Sequence, residues 1–173
     1  MAIFPIRTFG DPVLRRPCAD VGMVDDAVRK LMHDMRDTMI EAPGVGLAAP
    51  QIGMLRRVIV WRNEKDEGAL ANARIVDRRG EVAGEEACLS VPGLTYPVVR
   101  AEWVRVDGLD DRGRRATVEA EDFTARILQH EIDHTEGILF IDRLPPDLRR
   151  EARRRLRELM MGDGAPAAPS AAL

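Results

Sequence analysis

The 173-residue chain predicts one α+β domain, with small antiparallel or mixed sheets packed around a central helix that bears an HExxH motif, and with a C-terminal helix. Three observations predict it. The length suits a single hydrophobic core. Two stretches repeat their apolar residues with helical period, while the runs between them are short and β-branched. No internal repeat or linker divides the chain, so the domain is expected to span residues 1–161, with a disordered tail over 162–173 where GDGAPAAPSAAL is small and proline-containing.

From Asp25 to Glu41, Val28, Leu31, Met32, Met35 and Met39 recur at three- and four-residue intervals. Asp25 or Asp26 is suited to cap this helix and Pro43-Gly44 to stop it. His33 falls off the apolar stripe and is expected in solvent. Arg56 to Trp61 is a short β-branched run and predicts a strand, and Asn63 to Leu70 reads as a loop. Further strands are expected at Ala73 to Asp77, Glu102 to Leu109 and Arg115 to Ala120, the last two joined by turn-forming Asp110-Asp111-Arg112-Gly113. From Asp122 to Glu136 the helical period returns and puts Phe123, Ile127, His130 and His134 along one face, with Gly137 as the stop. Ile138 to Ile141 reads as a short buried strand. Pro145-Pro146 then breaks the chain before a last helix, from about Asp147 to Met161.

The composition is 45% hydrophobic and 32% charged, with a formal net charge of −3. Such a surface gives no electrostatic case for sequence-specific nucleic-acid binding or for an anionic membrane, and no apolar run approaches a membrane span. Cys18 and Cys88 are far apart and form no CxxC pair, so a reducing compartment is expected; MAIFPIRTFGDP lacks a long apolar signal region, which makes the cytoplasm the default. Charge is uneven, however. Arg149, Arg150, Arg153, Arg154, Arg155 and Arg157 crowd the last helix against Asp147, Glu151 and Glu158.

His130-Glu131-Ile132-Asp133-His134 is an HExxH pentapeptide within a segment that reads independently as helix. Imidazoles four residues apart project from adjacent turns of one face, so both can reach one metal ion, and the glutamate between them suits general base and then general acid. The third ligand stays open at this point. Glu136, Asp142, Asp147, Glu151, Glu158 and Asp163 lie downstream, and Cys88 upstream, where taken alone it reads more readily as a small buried hydrophobe.

Gly44-Val45-Gly46-Leu47-Ala48-Ala49-Pro50-Gln51, then Glu86-Ala87-Cys88-Leu89-Ser90, then Gln129 to His134 resemble the three signature motifs of peptide deformylases, in the family's order. The similarity extends from Asp11-Pro12-Val13-Leu14-Arg15 to Gly137–Leu144. It implies an enzyme that removes the formyl group from the N-terminal formylmethionine of nascent polypeptides, releasing formate. It also implies one divalent metal ion held by Cys88, His130 and His134. Ferrous iron is the family's usual native ion, and zinc, nickel or cobalt can replace it. Hydroxide formed at the open fourth position would be the nucleophile, Glu131 the proton-transfer residue, and the Gln51 amide and Leu89 backbone N–H the oxyanion donors. Gly44, Val45, Gly46 and Ala87 would border a peptide held as an added strand, and Val45, Phe123 and Ile127 would help line the methionine pocket. Two positions depart from the family: Ala87 stands where Gly is usual, and Thr135 where Leu is usual. The Arg-rich last helix suggests contact with the ribosome, and a monomer is expected.

Two other readings compete. HExxH alone suits a metallopeptidase that cuts internal bonds, but leaves GVGLAAPQ and EACLS unexplained. A silent, ribosome-associated protein of the same fold would not need every implied catalytic position filled, as they are here.

Overall fold

The computed structural model describes residues 2–64 and 66–161; the tail expected to be disordered over 162–173 lies outside them. Helix α1, Asp26–Glu41, starts where the Asp25 carboxylate accepts the Val28 N–H at 2.9 Å. It buries Val28, Leu31, Met32, Met35 and Met39, the stripe its period predicts, and leaves His33 exposed.

Among the described residues seven strands follow: β1 Gly46–Ala48, β2 Val58–Arg62, β3 Glu67–Arg79, β4 Val82–Cys88, β5 Val91–Arg100, β6 Trp103–Leu109 and β7 Arg115–Glu121. Five form one antiparallel sheet in the order β1-β2-β3-β6-β7, and β4 pairs with β5 in a separate two-stranded sheet. The predicted hairpin is β6–β7.

Two expectations fail. The loop predicted for 63–70 gives way to strand from Glu67 onward, with Gly68 opposite Trp61. Gly and Ala are poor strand formers in isolation, but a Cβ at Gly68 would overlap the Trp61 indole, so the glycine makes room for a ring that covers the strand. The strand predicted for Ile138 to Ile141 is instead a 3-10 turn, Phe140–Arg143. Its apolar residues are buried as expected. Asp142 decides the backbone: its carboxylate accepts the Leu139 N–H at 3.0 Å and its own N–H bonds the Leu139 carbonyl at 2.8 Å.

Helix α2, Asp122–Thr135, ends at Gly137, whose φ of +76° suits glycine and where a Cβ would press on the Arg15 carbonyl. Every residue from Ala125 to Thr135 is buried. Ala125, Ile127, Leu128 and Ile132 share a cluster with Ile59, Leu70, Val104 and Val106 of the large sheet, while polar residues of the helix bond to β4 and β5. Helix α3, Pro146–Met161, buries Ala152 and Leu156 beside Phe140, Ile141 and Leu144. No described helix is long and apolar enough to cross a membrane.

Candidate metal centre

A helix buried on all sides must satisfy every polar group it carries. Most of α2 does so. Gln129 brackets the Ala101 backbone, accepting its N–H at 3.0 Å and donating to its carbonyl at 2.9 Å. Thr135 donates to the Ile132 carbonyl and accepts from Arg57. Asp133 accepts from Arg100 at 2.6 Å and from Arg143 at 2.6 and 3.0 Å. His130 Nε2, His134 Nδ1 and both Glu131 carboxylate oxygens, by contrast, are buried without a hydrogen-bond partner among the described residues. These four atoms belong to the HExxH pentapeptide.

The two-stranded sheet supplies what the helix lacks. Cys88 ends β4 fully buried, with Sγ 3.2 Å from His134 Nε2, and one donor atom each from Cys88, His130 and His134 fall within 4.8 Å of one another. A thiolate and two imidazoles are a donor set that zinc, ferrous iron and related ions accept. The unpartnered His130 Nε2 is the kind of atom a metal would satisfy, so the residues fit the ion.

Glu86, two residues before the cysteine, accepts from His130 Nδ1 at 2.9 Å, leaving the Nε2 lone pair of that ring free. The same carboxylate takes Arg100 at 2.8 and 3.0 Å and Arg126 at 2.8 Å. Burial works to raise the Glu86 pKa, but the hydrogen bonds from Arg100 and His130 outweigh it and hold Glu86 ionised well below the usual carboxylate range. At Glu131 nothing outweighs burial, which lifts the carboxyl to about 7. Burial also drives His134 toward its neutral, ligating form.

Gln51 reaches the site from a 3-10 turn, Ala49–Ile52. Its Oε1 accepts the Ala48 N–H at 2.8 Å, which aims Nε2 at Ser90 Oγ, 3.2 Å away, and at Cys88 Sγ, 3.8 Å away. Leu89 lies buried between them in sequence, against Gly44. Gly46 backs the Glu131 carboxylate so closely that any side chain there would displace it. Val45 is partly buried and packs against the cluster that holds Ile127, Ala87 is half-buried on β4, and Phe123 is exposed on the first turn of α2. The fold thus brings Gln51, Cys88, His130, Glu131 and His134 together and leaves Phe123 at the surface.

Glu86 and Arg100, opposite charges on either side of the cysteine segment, form a buried ion pair. Asp133, Arg126 and Arg143 are not read from sequence as parts of the site. Their signal is the placement of Arg126, Gln129 and Asp133 at three- and four-residue spacing, a polar stripe on a helix that also needs an apolar one.

Residues 3–150 match the family model described as polypeptide deformylase. A peptide deformylase from Acidothermus cellulolyticus is 47% identical over 158 residues, covering 91% of this chain and 88% of that one. The crystal structure of a peptide deformylase from Thermus thermophilus superposes with a TM-score of 0.86 at 46% identity, over 90% of this chain and 94% of that one. That of an Ehrlichia chaffeensis peptide deformylase, in complex with actinonin, gives a TM-score of 0.88 at 33% identity, over 94% and 100% of the two chains.

Proposed function

The chain belongs to the peptide deformylase family, and from that premise we propose how its residues release formate from the N-terminal formylmethionine of nascent polypeptides. The observation that carries the reading is the set of buried, unpartnered atoms on His130, Glu131 and His134 beside the Cys88 thiol. Cys88, His130 and His134 would hold a divalent cation, which would supply Lewis acidity toward a water and the formyl group. The preference for ferrous iron, with zinc, nickel or cobalt as substitutes, rests on the family resemblance and the mixed sulfur and nitrogen donor set.

Glu131 accepts the proton of the attacking water and returns it to the departing amine. Its raised pKa, near 7, suits a group that must both take and give a proton close to neutrality. Negative charge grows on the formyl oxygen as the carbon becomes tetrahedral. Gln51 donates to it through Nε2, whose orientation the Ala48 N–H fixes through Oε1, and the Leu89 backbone N–H is the second donor. The peptide lies as an added strand along Gly44, Val45 and Gly46 on one side and Ala87 on the other. Val45 and Ile127 border the pocket for the methionine side chain, with Phe123, exposed on the first turn of α2, at its mouth. The Ala87 methyl, where glycine is usual, narrows that groove without removing a backbone hydrogen-bonding group, so Ala87→Gly is expected to alter substrate preference and to leave the chemistry intact.

The enzyme acts as a monomer in the cytoplasm, where nascent chains are made and where its two thiols stay reduced. The exposed arginines of α3, Arg150, Arg154 and Arg157 among them, suit the phosphate-rich ribosomal surface. Cosedimentation with ribosomes should weaken in an Arg154→Glu/Arg157→Glu variant, which spares the buried Ala152 and Leu156.

Anaerobic purification with metal analysis, alongside assay of a formylmethionyl peptide, tests the main reading. The expected result is one ion per chain and stoichiometric formate without internal cleavage. Internal cleavage, or formate release that survives Glu131→Ala, would overturn it.

A further inference from the structure

We infer that Arg126 is a positioning residue, which sets the β4–β5 sheet against the histidine-bearing helix and so determines both the placement of Cys88 and the width of the peptide groove. The inference rests on the deformylase reading for the groove, and on geometry alone for the rest.

The β4–β5 sheet shares no backbone ladder with the five-stranded sheet among the described residues, so its position relative to α2 depends on side chains. Arg126 spans that gap. Its Nη2 donates to the Val82 carbonyl at 2.9 Å, and its Nη1 reaches the carbonyls of Gly84 at 3.2 Å and Val98 at 2.9 Å as well as Glu86 at 2.8 Å. Val82 and Gly84 are on β4 and Val98 on β5, where it is the register partner of Gly84, so one buried guanidinium grips both strands.

Backbone acceptors matter here. A carboxylate partner can follow an arginine by rotating its side chain, but a strand carbonyl moves only with the strand. Arg100 holds carboxylates, those of Glu86 and Asp133, and so supplies charge; Arg126 holds main chain, and so supplies position. Arg126 also lies one turn before His130 and shares Glu86 with it, one carboxylate oxygen each. Any shift of β4 along the guanidinium therefore moves Cys88, two residues beyond Glu86, relative to the helix that bears the other two ligands. The same shift moves Ala87, the groove wall.

Gly84 completes the joint. A Cβ there would lie 2.8 Å from Nη2, 3.0 Å from Cζ and 3.1 Å from Nε of Arg126, so the guanidinium lies against the bare glycine backbone. An alanine at 84 would push it off its carbonyls from the opposite side.

The test compares the full-length parent with Arg126→Met, Arg126→Lys, Gly84→Ala and the Gly84→Ala/Arg126→Met double variant, all loaded with cobalt. Three readouts are taken: formate release, cobalt loss to a chelator followed through the thiolate absorption band, and amide hydrogen exchange. Arg126→Met should lose cobalt roughly 10-fold faster, within the range typical for groups that orient metal ligands. It should raise KM more than it lowers kcat, and accelerate exchange over 82–100 while leaving β6–β7 unchanged. Lysine, with one donor head, should restore only part of this. Gly84→Ala should move the same three readouts in the parent and add nothing in the double variant. Unchanged cobalt loss and local exchange in Arg126→Met would overturn the inference, as would additive effects of the two substitutions or a uniform rise in exchange with KM unaltered. If no variant and not the parent released formate, the deformylase reading would fail, while cobalt loss and exchange would still decide the role of Arg126.

Discussion

Both carboxylate oxygens of Glu131 are buried with no donor to meet them among the described residues, and Gly46 closes the space behind. A group so placed costs folding stability, and its chemistry is the reason to keep it. Substituting the isosteric amide should therefore separate catalysis from architecture. Glu131→Gln is expected to lower formate release by about 10²- to 10⁴-fold, the usual worth of a positioned acid–base. Metal content and melting temperature should be maintained; a loss of bound metal parallel to the loss of rate would assign Glu131 a structural role instead. The pentapeptide and its helical face are legible in sequence because two histidines and a glutamate at fixed spacing have few other uses. Cys88 is not legible on that basis. Free cysteine is ordinarily a buried small side chain, and only the neighbouring motif Glu86–Ser90, read together with Gly44–Gln51, distinguishes this one from Cys18, a second buried thiol whose pKa burial raises to about 11.

Among the secondary elements, α1 and α2 are readable because each keeps a 3.6-residue period over about four turns, and the β6–β7 hairpin because turn chemistry joins two β-branched runs. The β4–β5 pair is not foreseen. Pro92, Gly93 and Pro97 interrupt its propensity, and β4 is rich in Glu and Ala, so side chains hold it together: Arg126 and His130 reach Glu86 from α2 and Arg100 from the end of β5. Glu86→Gln keeps the shape but leaves two buried guanidinium groups short of a counter-charge and His130 with a weaker acceptor. Metal affinity, measured by competition with a chromophoric chelator, should fall about 10- to 100-fold; an unchanged affinity would remove Glu86 from the metal centre. The Phe140–Arg143 turn offers a pH-dependent case. Burial works to raise the Asp142 pKa, but hydrogen bonds from Arg15, the Leu139 N–H and Arg153 outweigh it and lower the value. A depressed carboxylate adds stability that is complete above its unfolded pKa of about 3.9 and is lost as pH falls through the lower folded value. Asp142→Asn should accordingly cost about 1–2 kcal/mol at pH 7, and the gap to the parent in urea titrations should close below about pH 4.

At the scale of the whole molecule, the proposed metal ligands come from both sheets' surroundings: Cys88 from the two-stranded sheet, and the histidines from the helix packed on the five-stranded one. Removing the ion should loosen the smaller sheet first. With free metal at about 100 times its dissociation constant, binding adds about 2.7 kcal/mol to stability, so chelation should lower the melting temperature by roughly 5–11 °C. Exchange over 82–100 should rise earliest, and equal acceleration across β6–β7 would contradict that division. The burial of α2 from Ala125 onward bears equally on how the chain reaches this state. Its polar residues find partners 28 residues away at Ala101 and Val98, 33 away at Arg100, 44 away at Glu86 and 78 away at Arg57. None of these is available while the helix is forming locally, so an early α2 keeps its polar groups in water and cannot yet be buried. Burying the helix therefore closes loops of 28 to 78 residues, and stopped-flow refolding is expected to be slower than for a domain whose contacts are mostly local.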